Sequence, residues 1–88
     1  MDEANQIKSV MKDNLAVIGE DRTLKLLRDH KIKKVFMASN TRQDVKSDLK
    51  RYAQLENAEL VELALTNEEL GTLCKKPFSI SILGVRSE

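Results

Sequence analysis

Thr66 and Glu69, with Pro77 downstream of them and an alternating segment behind it, restrict this chain more tightly than any other feature. The three-residue spacing is that of a capping box. The threonine hydroxyl takes a free amide of the first helical turn, and the glutamate reaches back to the amide of the cap residue. A short helix is therefore expected from Thr66. Leu70 and Leu73 fall on one face of it, and Pro77 disfavours the helical conformation at Lys76, so the helix must end before Phe78. Residues 79–82 then alternate polar and apolar, the period of a strand with one covered face. Residues 75–78 become a loop at the start of a strand.

The upstream chain repeats this grammar. Ala4, Ile7, Val10 and Met11 recur at helical steps and predict a first helix ending near Asn14, followed by a short strand over residues 15–18. Gly19 turns the chain. A second helix is expected over residues 23–29, with Leu24 and Leu27 on its apolar face. Residues 35–38 form an apolar run without alternation, as in a strand covered on both faces in the middle of a sheet. Val45, Leu49, Tyr52 and Ala53 predict a third helix running to Leu55 or Glu56, with Asp44, Lys46, Asp48 and Arg51 on its outer side. Residues 60–65 read as the third strand. The order α-β-α-β-α-β-α-β points to an α/β fold, a three-layer α/β/α sandwich with a small mixed sheet between helices.

With 88 residues there is room for one domain, 1–88. The 15 basic and 14 acidic residues leave a formal charge of +1, so any attraction for nucleic acid must come from a local basic patch. Cys74 stands alone and forms no internal disulfide, and no run approaches the ~18 apolar residues of a membrane span. The opening MDEANQ lacks the basic and apolar parts of a secretory signal. An intracellular soluble module without membrane contact is expected.

Catalytic patterns fail one by one. Gly19 is not followed by the glycines of a dinucleotide loop, and no phosphate-binding Gly-Lys-Ser/Thr series occurs. A cysteine phosphate loop would place an arginine six residues after Cys74, where the chain has Ile80, so Cys74 reads as packing. His30 lies in a polar turn with Asp29, Lys31 and Lys33 and reads as a solvated residue near a helix C-terminus. The pairs Glu20/Asp21 and Glu68/Glu69 sit at helix starts, where the helix dipole accounts for them. No catalytic residue, metal site or cofactor is expected.

A binding face is better supported. Loops after residues 19, 39 and 65 leave the carboxyl ends of strands, where ligands collect in open α/β sheets. A helix beginning just after Gly19 presents free amides and a positive dipole end to a phosphate. Arg22 and Lys25 add cations, Asn40 an amide that donates and accepts, and Arg42 a further phosphate contact. A solvated helix face with ordinary caps fits the same residues, and the pattern alone leaves both readings open. Three aromatics in the whole chain exclude an extended base-stacking platform.

Four fragments carry a family resemblance: VIG at residues 17–19, KKVFMASNT at 33–41, DLKRYA at 48–53, and NEELGT at 67–72 leading to Pro77 and Phe78. Together, in order and over nearly the whole chain, they resemble the kink-turn RNA-binding superfamily, and within it the large-subunit ribosomal proteins numbered thirty in archaea and eukaryotes. The resemblance implies a three-layer fold that grips a kinked RNA helix whose bend is held by non-Watson–Crick pairs. It further implies that the turn at Gly19, with Glu20, Asp21, Arg22 and Lys25, approaches the kinked backbone. Asn40 would meet RNA at the end of the second strand, and Phe78 would contact an unstacked base.

Two departures stand out. Asp21 is acidic where the family carries a basic or polar residue, and Lys75 replaces a glycine, beside Lys76, as a further phosphate contact. The Asp21-Arg22 pair also departs from the Asn-Glu pair of the branch that serves small ribonucleoproteins, which favours the ribosomal branch. The resemblance thus implies a non-enzymatic structural constituent of the large ribosomal subunit that binds kink-turn rRNA in the cytoplasm. It would be a monomer when free and a neighbour of other ribosomal proteins when assembled. The alternatives are a kink-turn adaptor of another ribonucleoprotein, or a stress-response protein-interaction module of the same fold, whose signature would be an acidic surface.

Overall fold

The capping box forms as its spacing requires. In the computed structural model, which describes residues 3–87, the Glu69 amide donates to Thr66 Oγ1 at 3.3 Å and the Thr66 amide donates to Glu69 Oε1 at 2.8 Å. Of the single domain expected over 1–88, and of the opening hexapeptide, Met1 and Asp2 lie outside the described residues, as does Glu88. The elements follow the expected order: α1 (Glu3–Lys12), β1 (Ala16–Ile18), α2 (Glu20–Arg28), β2 (Ile32–Met37), α3 (Gln43–Leu55), β3 (Glu59–Glu62), α4 (Asn67–Leu73) and β4 (Ile82–Arg86).

The sheet order is β1-β4-β2-β3. β4 runs antiparallel to both β1 and β2, while β2 and β3 are parallel and joined through α3. One face of the sheet packs Phe36, Ala38, Leu83 and Val85 against Ile7 of α1 and Leu70 and Cys74 of α4. The other packs Val17, Val35, Met37 and Ile82 against Leu27 of α2 and Val45 and Leu49 of α3. The three layers are therefore α1/α4, sheet, and α2/α3. The unalternating run of β2 is covered on both faces, as expected of a central strand.

Boundaries moved where a distant partner decided them. α2 starts at Glu20 rather than at residue 23, because Gly19 adopts φ 109°, ψ 151°, a conformation open to glycine that turns the chain directly into the helix. The third strand stops at Glu62 instead of residue 65. The last strand begins at Ile82 instead of residue 79, because the Ile80 amide donates to the Asn67 carbonyl of α4 (3.0 Å) rather than to a neighbouring strand. Lys46 was expected on the outer side of α3, yet it is buried. Its ammonium reaches Glu62 Oε2 at 2.7 Å and the Ser39 carbonyl at 3.0 Å, which compensates a charge taken out of water.

All four helices leave through the same turn. Asn14, His30, Asn57 and Lys75 have φ of 63°, 62°, 60° and 59°. Just beyond each, an amide returns to the helix: Leu15 to the Val10 carbonyl, Lys31 to Leu26, Ala58 to Ala53 and Lys76 to Gly71, at 2.8–3.0 Å. These are Schellman motifs, with no glycine at the left-handed position. Asparagine tolerates that position well. His30 and Lys75 carry a steric cost of about 1 kcal/mol each.

Candidate nucleic-acid interface

Because β1, β2 and β3 run parallel and β4 opposes them, their carboxyl ends and the start of β4 lie at one end of the sheet. Four segments meet there: the turn at Gly19, the loop after β2, the loop into α4 and the 74–81 loop. Hydrogen bonds knit them together. The Gly19 amide donates to the Ile82 carbonyl (3.1 Å), Ala38 to Ser81 (2.8 Å), Ser39 to Leu65 (2.7 Å), and Thr41 Oγ1 to the Ser81 carbonyl (3.3 Å).

The α2 end of this face is held from below. Thr23 is fully buried, and its hydroxyl donates to the Val17 carbonyl at 3.4 Å. Its side chain fits because residue 84 is glycine: a Cβ there would stand 3.0 Å from Thr23 Cγ2. Gly19 gives the helix no side-chain cap, so the first-turn amides of α2 are left for solvent or a ligand. Glu20, Asp21 and Arg22 are all exposed around them. The two carboxylates complement the positive helix end, and a phosphate would enter beside them rather than alone. Lys25 lies in the last turn of α2, about 7 Å further along the axis, on the flank of the face.

Asn40 is exposed at the expected strand end, but its amide is committed. Nδ2 donates to Asn67 Oδ1 at 2.9 Å, and Oδ1 accepts from the Asn67 backbone amide at 2.8 Å. Asn67 is one of the residues that sequence reasoning missed. Arg42 is exposed at the start of α3 and pairs with Asp44 at 2.8 Å, an ion pair open to solvent and so of small worth.

Phe78 is 52% exposed, one of two large apolar side chains so placed among the described residues. It does not continue the inward row of Ile80 and Ile82, both of which are buried. Its loop is held by Gly71, where a Cβ would meet the Phe78 carbonyl oxygen at 2.1 Å and Ser79 Cα at 3.2 Å. An isolated glycine inside a helical pattern was the available signal for this close approach. Lys76 is exposed in the same loop, its amide bonded to the Gly71 carbonyl at 3.0 Å. Lys75 stands at the start of the same loop, beyond the C-terminal end of α4. It lines a groove between α1 and the far end of α4.

Two further side chains are settled by their surroundings. Cys74 is buried, and loss of solvation pushes its thiol pKa up, against the opposing charge of Lys76, as suits packing. His30 is exposed, with Nδ1 against Glu56 Oε1, where the C-terminal ends of α2 and α3 meet.

A family model described as the ribosomal protein L7Ae/L30e/S12e/Gadd45 family matches residues 2–88. Large ribosomal subunit protein eL30 of Sulfurisphaera tokodaii is 38% identical over 81 residues, covering 92% of this chain and 76% of the relative. The eL30 protein of Methanocaldococcus jannaschii is 33% identical over 88 residues, covering 100% of this chain and 80% of the relative. Among solved structures, a protein of unknown function from Bacillus halodurans superposes with a TM-score of 0.86 at 14% identity, over 96% of this chain and 83% of that one. A Giardia lamblia 15.5kD RNA binding protein does so with a TM-score of 0.82 at 15% identity, over 97% and 71%. At such identities the structural likeness bears on the fold alone. With the sequence model spanning nearly every residue and eL30 proteins aligning over most of their own length, this chain belongs to the ribosomal protein L7Ae/L30e/S12e/Gadd45 family.

Proposed function

We propose that this protein is a non-catalytic structural constituent of the large ribosomal subunit that holds a kinked rRNA helix against the four-loop end of its sheet. The observation that carries the reading is the pairing, on one knitted face, of an uncapped helix start and an exposed phenylalanine. The first supplies amides and Arg22 to a phosphate. The second supplies a surface for a base that a kink has unstacked. Glu20 and Asp21 suit acceptance from base amino groups rather than contact with phosphate, so the face selects RNA with exposed base edges over a plain duplex. Lys25, Arg42 and Lys76 lie on its flanks as phosphate contacts. The names of the eL30 relatives support assignment to the cytoplasmic ribosome. Free in solution the chain is a monomer, and on the ribosome other ribosomal proteins are its neighbours.

Titration of a kink-turn RNA beside an unkinked duplex of equal length tests this. Phe78→Ala should weaken kink-turn binding by about 1–3 kcal/mol with little change in melting temperature. Arg22→Ala and Lys25→Ala should each lower the log–log salt slope by roughly 0.7–0.9. Equal affinity for the two RNAs, or unchanged slopes in both cationic variants, would remove the assignment.

A further inference from the structure

The groove lined by Lys75 lies at the opposite end of α4 from Asn67, where the 74–81 loop starts before it returns to the RNA face. It encloses about 470 Å³ between α1 and the C-terminal end of α4 and is lined by Lys8, Met11, Lys12, Leu73, Cys74 and Lys75. α4 begins at the four-loop end and runs away from it for about 10 Å, so the groove can be filled while that end is engaged. Its chemistry is two-fold. Met11 and Leu73 are half-buried and form an apolar floor with Cys74. Three exposed ammonium groups stand around that floor, and none of them makes an ion pair among the described residues.

A second observation concerns Lys75. It occupies the left-handed position of the α4 Schellman motif at φ 59°, where glycine would sit without strain. His30 holds the equivalent position after α2, so the strain is shared; what sets Lys75 apart is a charge on the rim of a groove with two other lysines that make no ion pair among the described residues. Phosphate backbone alone would not fill the floor, whereas an acidic peptide with apolar side chains satisfies both parts. Methionine adapts its shape to such side chains, and flexible lysine stems reach carboxylates at varied positions. We propose that the groove between α1 and α4 docks an acidic amphipathic peptide segment of a partner protein, at the same time as the four-loop end holds RNA.

The test is a nuclear magnetic resonance titration of isotope-labelled protein, alone and saturated with kink-turn RNA. The probe is a synthetic peptide in which pairs of glutamates alternate with pairs of leucines. Saturable shifts at the Met11 methyl and the Leu73 amide are expected in both samples. The triple variant Lys8→Gln, Lys12→Gln, Lys75→Gln should weaken the peptide about tenfold, as three exposed ion pairs of ordinary strength would. Kink-turn affinity should change less than twofold, since these lysines lie off the four-loop face. Absence of shifts at Met11 and Leu73 would overturn the proposal, and so would equal shifts from a control peptide with glutamines in place of the glutamates. Displacement of the peptide by RNA, with a parallel loss of RNA affinity in the triple variant, would assign the lysines to RNA instead. Failure of kink-turn binding in the unaltered protein would remove the RNA assignment and leave the peptide result to stand separately.

Discussion

Replacing Gly71 by alanine should destabilise the protein, although helix propensity alone predicts the reverse by about 1 kcal/mol. Gly71 sits inside α4, facing the 74–81 loop, and an added Cβ would stand 2.1 Å from the Phe78 carbonyl oxygen and 3.1 Å from its carbon. Both atoms are backbone, so no side chain can swing aside. To reach ordinary contact the loop must move by roughly 1 Å. That movement strains two hydrogen bonds of 3.0 Å, Lys76 to the Gly71 carbonyl and Ile80 to the Asn67 carbonyl. Each such bond is worth about 0.5–1.5 kcal/mol, and overpacking adds about 1–3 kcal/mol. After the propensity gain the net cost is about 1–5 kcal/mol, centred near 3. In a domain of this size the central value lowers the melting temperature by about 12–24 °C in a calorimetric scan. Because the displaced oxygen belongs to Phe78, RNA affinity measured well below the melting point should fall with an unchanged salt slope. A melting temperature equal to or above that of the parent protein would refute the reasoning and show that the loop yields freely.

Three more outcomes are expected. Lys75→Gly should raise stability by about 0.5–1 kcal/mol in denaturant titration by relieving the left-handed lysine, while abolishing the rim charge that the peptide groove uses. Asn40→Ala should lower the melting temperature even without RNA, costing about 1–2 kcal/mol, because both polar atoms of the amide serve Asn67; lost RNA affinity with an unchanged melt would contradict this. The Lys46 hydrogen bond and charge hold the Glu62 carboxyl below its ordinary value of 4.5. Being depressed on folding, that carboxyl contributes stability above the unfolded value, lost as pH falls through the lower folded value. In acid titrations followed by circular dichroism, Lys46→Met should flatten this part of the stability profile.

What the sequence made legible was whatever a residue and its near neighbours decide between themselves. The capping box involves two residues three apart, so it could be read directly, and it formed. The run at 35–38 announced a strand covered on both faces, because four residues of continuous apolarity are too few for a buried helix. Lys46 was misread because helical spacing places it beside Val45 without saying whether anything approaches, and it is β3 that brings Glu62 alongside. The start of β4 was misread for a related reason. Alternation at 79–82 correctly marked Ile80 and Ile82 as buried, but burial on one parity does not require a strand. The Ile80 amide is taken by α4, and that partner lies outside any local window. The helix ends were legible to within a residue or two, but their geometry was not, since a Schellman turn without glycine leaves only an asparagine, a histidine or a lysine as its trace. The same division runs through the candidate interface. Arg22, Asn40 and Phe78 were visible as side chains with the chemistry for RNA, whereas Asn67 and Thr23 act through contacts that sequence spacing does not display, and Gly71 left only an isolated glycine in a helical pattern as its trace. Substitutions in this second set should therefore alter binding through shape, with the ionic part of the interaction intact. Salt dependence separates the two sets where affinity alone does not.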